Sequence, residues 1–301
     1  MKTIVCFLLV LLGASPVFAD FQSDFSKKLS AKDFAGAVAA LKSWQLAEPD
    51  SPEVIVGFVN YFFIKSMSYG YSIDDFSRNG TDQEGKKLSF HDPKTGKDFY
   101  FNNKVFYNGD DIVQAMKYFD DGIKRFPNRL DIRFGKIHVA NQVEDFMAAS
   151  AEVVDALRVS RINGNQWLWS NDRPYGKSES DFLGDLQNYY NLWYQSASEA
   201  GLESIRVASE EQILQYPKHS WAYDNLALYY SYKKDAPNQI RLLLKSVDVD
   251  PSDAITLNNV ANFYRLHGEK QKAIEYYNLV LKTTDKQQIE QAKKMLETLR
   301  K

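Results

Sequence analysis

Apolar residues recur at helical spacing in paired segments along most of this chain, and the clearest pair lies near its C-terminus. Alignment on Pro217 and Pro251, which are 34 residues apart, places residues 223–230 over residues 257–264. Both stretches run large apolar, polar, Asn, apolar and Ala, and both end in two aromatic residues. A period of this length is typical of repeated helical hairpins, so the pattern predicts a stack of paired helices.

The last repeat contains a glycine turn with small residues on either side of it. Ala261 and Ala273 flank Gly268, and Tyr277 follows Ala273 on the same helical face. Antiparallel helices approach closely only where small side chains face each other. With these residues, 252–285 resembles a tetratricopeptide repeat. The resemblance implies an all-α fold, an α-α superhelix or solenoid in which each hairpin packs on its neighbours.

Two upstream segments carry half of the same signature. Counted from an alanine, residues at offsets 4 and 7 lie with it on one helical face, and a proline at offset 12 ends the helix. The two segments with this spacing are Ala37, Leu41, Trp44 and Pro49, and Ala115, Phe119, Gly122 and Pro127. The third and fourth repeats depart from the pattern, because Ile137 and Ile205 stand where small residues are expected.

Proline spacing predicts the number of hairpins and the positions of insertions. Excess length between prolines predicts insertions at about residues 69–108 and 163–184. The chain is then expected to comprise a leader at 1–19 and one solenoid domain at 20–301. A capping helix is predicted at the C-terminal end, 286–300, after about six hairpins at 20–49, 50–127, 128–161, 162–217, 218–251 and 252–285, the last two being the clearest.

The first insertion alternates apolar and polar residues around a turn. Segments 87–91 and 98–101 flank Pro93 and Gly96, which favour tight turns. This pattern predicts a β-hairpin that emerges from the second repeat.

The second insertion is rich in aromatic residues. Trp167, Trp169 and Tyr175 lie among Asn, Asp and Arg side chains. Such rings favour a ligand surface, because they offer a large contact area at low entropy cost. The rings can equally pin the loop to the helices, and both interpretations stay open.

The N-terminus predicts export. Lys2 precedes an apolar run over 4–12, and Val17 and Ala19 occupy the small-residue positions of a signal-peptidase site. Cleavage is expected after Ala19, with the product periplasmic or secreted. The run is shorter than the ~20 apolar residues of a spanning helix, so no membrane span is expected after cleavage. The only cysteine, Cys6, lies in the leader, and a cysteine-free exported chain favours a bacterial cell envelope.

Charge and motifs limit the classes of function. The chain has 301 residues and a formal net charge of −2, without a basic stripe, so no nucleic-acid partner is expected. No phosphate-binding glycine loop or nucleophile elbow occurs, and no metal-ligand spacing is found among the four histidines, His91, His138, His219 and His267. We therefore expect no metal, no cofactor and no enzyme activity.

The resemblance to tetratricopeptide repeats implies a concave groove, lined by the first helix of each hairpin, that binds a protein or peptide partner. Asn side chains on such a face can form hydrogen bonds with both the backbone N–H and the backbone C=O of a partner. Arg265 can pair with a carboxylate of the partner. The subclass that clamps C-terminal carboxylates has Lys where this chain has Asp224 and Asn258, so that ligand class is not inferred. The predicted partner-binding residues are Trp221, Asp224, Leu228, Asn258, Asn262 and Arg265, with Trp167, Trp169 and Tyr175 from the aromatic loop.

A second class of function stays open. Helical hairpins with Trp- and Tyr-rich loops also occur in α/α carbohydrate-active and glycan-binding proteins, in which case the loop at 167–175 would bind a glycan. The 34-residue proline spacing and the Ala, Gly and Ala positions favour a scaffold for a protein partner.

Overall fold

The computed structural model describes residues 18–74 and 86–300. Most of the predicted leader, 1–17, lies outside the described residues. The described chain contains helices at Phe18–Ser30 (α1), Phe34–Ala47 (α2), Pro52–Ser66 (α3), Gly109–Arg125 (α4), Leu130–Gln142 (α5), Phe146–Ile162 (α6), Glu179–Ser196 (α7), Glu199–Gln215 (α8), Trp221–Tyr232 (α9), Ala236–Val249 (α10), Ala254–Leu266 (α11), Lys270–Val280 (α12) and Lys286–Arg300 (α13).

The first twelve described helices follow one another as six successive pairs, which we number hairpins 1 to 6 from α1–α2 to α11–α12, and the all-α fold is confirmed. The prolines used to find the repeat stand two residues after the last residue of a helix, at Pro49, Pro127, Pro217 and Pro251. Proline cannot continue the hydrogen-bond ladder of a helix, so these residues mark the ends of the second helices of hairpins 1, 2, 4 and 5.

The chain divides into two compact units. One consists of Met1–Val139 with Trp167–Tyr175, and the other of Ala140–Gln166 with Gly176–Lys301. In the first unit, one core lies among α1, α2 and α3, and a second contains Val56, Phe119 and Ile132. In the second unit the core runs between successive hairpins through residues such as Leu186, Ile205, Leu257, Val260 and Tyr277.

Several hairpins turn on a single residue in the left-handed conformation. Lys32, Glu144 and Lys234 have φ of 58°, 62° and 58°, and Gly268 has 78°. An aspartate follows each of the first three and caps the second helix, accepting a hydrogen bond from the backbone N–H three residues on, as Asp33, Asp145 and Asp235 show. Each turn thus reverses the chain and begins the next helix within a few residues.

Small residues lie at the close contacts, as predicted for the last hairpin. Ala261 and Ala273 are fully buried, at 0% exposure. In hairpin 4, Ser204 stands one residue before Ile205 and is buried, and its hydroxyl donates to the carbonyl of Phe146 on α6 at 2.8 Å. This small residue therefore lies at a contact between hairpins 3 and 4.

The first insertion is a three-stranded antiparallel sheet and occupies the turn of hairpin 2. Its strands are Met67–Asp74 (β1), Ser89–Asp92 (β2) and Lys97–Tyr107 (β3), in the order β1-β3-β2. The predicted β-hairpin is present as β2 and β3, but β1 was not predicted. Tyr69, Tyr71 and Ile73 do alternate with small or polar residues, which is a strand pattern, although it follows α3 without a break.

The second insertion is shorter than expected. The loop contains two short strands, Leu168–Trp169 (β4) and Arg173–Pro174 (β5), which pair with each other. The next helix begins at Glu179, because Ser178 and Asp181 form a capping box there.

The predicted capping helix is confirmed. In α13, Ala292 and Leu296 are buried, and α13 contacts both helices of hairpin 6. It covers an apolar end that a further hairpin would otherwise have to bury.

Candidate functional site

Asp224 joins hairpins 5 and 6. Its Oδ2 accepts hydrogen bonds from Thr256 Oγ1 at 2.6 Å and from Ser246 Oγ at 2.7 Å. Burial raises the pKa of Asp224 from 3.8 to about 6, while the two hydroxyl donors act in the opposite direction. The prediction of an open, partner-facing Asp224 is therefore corrected: the carboxylate belongs to the junction of the two hairpins.

Asn258 stands 34 residues after Asp224 and joins hairpin 6 to the capping helix. It is only 6% exposed. Its Nδ2 donates to Gln288 Oε1 at 2.5 Å and to the Gln288 carbonyl at 3.3 Å. Its predicted role as a partner contact is corrected in the same way.

Both corrections have one physical cause, which is rotation around the helix. Successive residues are turned by about 100° on an α-helix of 3.6 residues per turn. A one-residue error therefore exchanges the open face of a first helix for its junction with the next hairpin. Asn259, the residue after Asn258, is exposed, whereas Asn225, the residue after Asp224, is half-buried.

The first helices of hairpins 4 and 5 are tied by paired amides. Gln187 Nε2 donates to Asn225 Oδ1 at 3.0 Å, and Asn225 Nδ2 donates back to Gln187 Oε1 at 2.9 Å. Two turns further along, the rings of Tyr194 and Tyr232 meet edge to face with centroids 5.9 Å apart. Together with the link between Asp224 and Thr256, these contacts hold α7, α9 and α11 side by side.

An open face runs across these three helices, and we call it the first-helix surface. It combines amide and apolar side chains at helical spacing, namely Asn191 and Tyr194 on α7, Leu228 and Tyr232 on α9, and Ile255, Asn259, Asn262 and Leu266 on α11. Leu228 is half-buried and the others are exposed. Asn191, Tyr194, Tyr232, Asn259 and Leu266 were not predicted, although a spacing of four residues from Leu228 and from Asn262 would have found Tyr232 and Leu266.

Asn262 and Arg265 bind each other on this surface. Asn262 Oδ1 accepts from Arg265 Nη2 at 2.7 Å and from Arg265 Nε at 3.2 Å. Asn262 is exposed, whereas Arg265 is half-buried. The guanidinium is thereby held beside an amide whose remaining donors face outward.

Trp221 is half-buried and lies across the first helix of hairpin 4. A Cβ at Gly184 would lie 3.6 Å from its ring, and His219 meets the ring edge-on at 4.6 Å. Burial lowers the pKa of His219. Trp221 thus mainly packs against α7 and offers only part of its ring to a partner.

The three aromatic residues of the loop are packed against α5 to different extents. Trp167 is 2% exposed, and the Tyr175 N–H donates to its carbonyl at 2.8 Å. Trp169 is half-buried between Phe134 and Tyr175, with ring centroids 6.1 Å and 5.9 Å away. The ring of Trp167 therefore has no face open to a ligand in this structure, and no contact favours the glycan alternative.

A buried arginine anchors the same loop, and it was not among the residues predicted from the sequence. Arg129 is 1% exposed, and its guanidinium forms two hydrogen bonds to Asp131, at 2.9 Å and 2.8 Å. It also pairs with Glu53 at 2.9 Å and with Asp172 at 3.3 Å. Glu53 and Asp131 in turn accept hydrogen bonds from the Asn171 N–H at 2.7 Å and the Ser170 hydroxyl at 3.1 Å.

A shallow apolar recess opens on the side of the second helices, between α10 and the turn of hairpin 6. Ile240, Leu244, Phe263 and Tyr264 line it. Lys272 also lines it, but its ammonium pairs with Glu269 at 2.5 Å.

Across residues 18–74 and 86–300, no group of His, Cys, Asp or Glu side chains is placed to hold a metal ion. Within the same part of the chain, no helix has both the length and the apolar character needed to cross a membrane.

No protein-family model and no curated protein sequence matches the chain. Among solved structures, MamA from Desulfovibrio magneticus RS-1 is 14% identical, with a TM-score of 0.29, over 90% of this chain and 96% of that one. YrrB, described as a TPR protein with an unusual peptide-binding site, is 16% identical, with a TM-score of 0.36, over 62% and 84% of the two chains. PilF of Pseudomonas aeruginosa is 17% identical, with a TM-score of 0.36, over 63% and 82%. Likeness at this level transfers no function.

The hairpins of this chain themselves have the features of the predicted fold. Their 34-residue register, their buried Ala261 and Ala273 and the prolines that follow their second helices recur as the resemblance implied. The protein has a fold of the tetratricopeptide-repeat type.

Proposed function

We propose that the protein is a scaffold that binds an extended segment of a protein partner on the first-helix surface. The observation that carries this proposal is the line of exposed amide and apolar side chains across α7, α9 and α11. Asparagine side chains offer both a donor and an acceptor, so they can bind the backbone of a peptide with little demand on its sequence. Tyr194, Tyr232 and Leu266 add apolar area next to those amides.

Arg265 and the tyrosines supply the anchors of such a surface. Binding energy usually concentrates in a few Trp, Tyr and Arg residues. Arg265 is held in place by Asn262, so little side-chain entropy remains to be lost when it meets a partner's carboxylate or carbonyl groups. The remaining contacts then exclude water around these anchors.

Export is part of the same proposal. Lys2, the apolar run over 4–12 and the small residues Val17 and Ala19 support a signal peptide cleaved after Ala19. The partner would then be a protein of the bacterial cell envelope or its surroundings. N-terminal sequencing of the protein recovered outside the cytoplasm should begin at Asp20, and a recovered product that retains Met1 would contradict this part.

The binding proposal is tested with peptides selected from a random library against the whole chain. The double variant Asn262→Ala with Arg265→Ala should weaken their binding by about tenfold or more, since anchor residues commonly cost at least ~1.4 kcal/mol each. A matched control is Gln271→Ala with Lys282→Ala, two polar residues on hairpin 6 outside the surface. Equal loss in both double variants, or no loss in either, would count against the first-helix surface.

A further inference from the structure

The sheet in hairpin 2 ends in a long strand, and one edge of this strand pairs with no other strand in the part of the chain that the structure describes. β1 pairs with β3 over all eight residues, from Met67 opposite Tyr107 to Asp74 opposite Tyr100. Among the described residues, β1 pairs with no other strand and stands at the end of the sheet order. A strand in this position presents backbone N–H and C=O groups that can pair with a further strand.

This edge lacks the features that usually prevent pairing. Natural edge strands carry Lys or Pro, or are very short or bulged. β1 has eight residues, continuous pairing with β3 and no Lys, Arg or Pro, and its one charged residue is Asp74 at its end. The sequence of this strand therefore permits a second strand to add to it.

Apolar side chains on one face of β1 are open to solvent. Tyr69, Tyr71 and Ile73 are 63%, 58% and 55% exposed, and they share a face because side chains alternate along a strand. On the other face Asp74 accepts a hydrogen bond from Asn102, which is 1% exposed. The face with Tyr69, Tyr71 and Ile73 is thus largely aromatic and exposed, and the Lys32 ammonium lies over the Tyr69 ring, 5.4 Å from its centroid.

We propose that β1 of one molecule pairs with β1 of a second copy, antiparallel about Gly70, and joins the two sheets into one. Antiparallel pairing about this residue places Tyr69 opposite Tyr71 of the other copy, and Met67 opposite Ile73. Each residue meets another of its own class, and the contact is isologous, as in most homodimers. Directly opposed aromatic and β-branched pairs are those that stabilise antiparallel strands.

A second copy suits this edge because the strand does not repel itself. β1 contains a single charged residue, Asp74, at its end. No charged residue of β1 faces a charge of its partner, because Asp74 would lie opposite Ser66. One strand edge buries less surface than a standard interface, so a dissociation constant in the range of about 1–100 μM is expected.

The proposal is tested by a charge swap at the two opposed tyrosines. Tyr69→Lys with Tyr71→Glu places each Lys opposite a Glu of the other copy, whereas Tyr69→Lys with Tyr71→Lys places Lys opposite Lys. Both double variants lose the same two exposed rings, and similar melting temperatures would show that both fold. By sedimentation equilibrium on the whole chain, the swapped pair should dimerise about tenfold or more tightly than the like-charged pair.

The register is tested by crosslinking in a Cys6→Ser background. A mixture of the Tyr69→Cys and Tyr71→Cys variants should form a disulfide dimer faster than either variant alone, because opposed residues in antiparallel strands lie within disulfide reach. A native chain that stays monomeric at about 500 μM, roughly five times the weakest dissociation constant expected for this contact, would overturn the proposal. Equal dimerisation of the two double variants would also overturn it.

Discussion

Thr256 donates a hydrogen bond to Asp224 across the junction between hairpins 5 and 6, with the two oxygens 2.6 Å apart. Ser246 Oγ, from the second helix of hairpin 5, reaches the same carboxylate oxygen at 2.7 Å. One buried carboxyl group thus links three helices. Because it can be charged or neutral, the strength of this junction depends on pH.

The free energy of unfolding should carry a component from Asp224 that falls as pH rises. Its pKa is about 6 in the folded chain against an ordinary value of 3.8, so the folded state holds this proton more tightly than the unfolded state. The resulting stabilisation is fully present below about pH 4 and is lost as pH rises through about 6, by on the order of 2 kcal/mol. In Asp224→Asn this component should be absent.

The measurement is urea unfolding of both proteins at intervals between about pH 4 and pH 7, the window in which this group titrates. The difference in unfolding free energy between the native chain and Asp224→Asn is the quantity to follow, since it removes the contributions of other groups. Asp248→Asn, an exposed position on α10, serves as the control. A difference that stays constant across this range would refute the assignment to Asp224.

The hairpins could be predicted from the sequence because their helix ends and close contacts depend on residues that lie near one another along the chain. Pro217 and Pro251 follow helix ends because proline cannot continue a helix, whatever its tertiary surroundings. Ala261 and Ala273 are small because the two helices of hairpin 6 meet there. The turns at Lys32, Glu144 and Lys234, each followed by Asp, are a further local signal that would have supported the irregular third repeat.

Other features could not be predicted because they depend on distant partners. Asp224 and Asn225 are both polar, and only the positions of the neighbouring hairpins decide that Asp224 bonds to Thr256 and Asn225 to Gln187. Arg129 meets Glu53 and Asp172, which are far from it in sequence, so no spacing along the chain reveals the cluster. β1 directly follows a helix, and its pairing depends on β3, which begins more than twenty residues later.

Ala261→Leu should destabilise the C-terminal hairpins. Ala261 has 0% exposure at the contact within hairpin 6, and added methylene groups there force neighbouring side chains apart, at a cost of roughly 1–3 kcal/mol. Gln271→Leu, at an exposed position of the same hairpin, adds a similar side chain without overpacking. A denaturation midpoint lowered in the first variant and nearly unchanged in the second is the expected result. Equal midpoints would show that the close contact lies elsewhere.

Arg129→Met should loosen the aromatic loop. The substitution leaves Glu53 and Asp131 without their cation in a buried setting, and breaking a buried ion pair in this way costs roughly 3–5 kcal/mol. Lys28→Met removes an exposed pair with Asp24, which is worth about 0–1 kcal/mol. Thermal unfolding compares the two, and limited proteolysis locates the change. Cleavage within 163–178 should appear in Arg129→Met only, and unaltered proteolysis there would mean that other contacts hold the loop.

The two tryptophans of the loop should respond differently to truncation. Trp167 is 2% exposed, so Trp167→Ala removes a large buried ring and should cost roughly 3–5 kcal/mol. Trp169 is only half-buried against Phe134 and Tyr175, so Trp169→Ala should cost clearly less. Both variants are measured by thermal unfolding and by binding of the same selected peptides. A large loss of stability in Trp167→Ala, with peptide binding by Trp169→Ala unchanged, identifies the loop as a structural element. Weaker binding by Trp169→Ala at an unchanged melting temperature would instead assign its ring to a ligand surface.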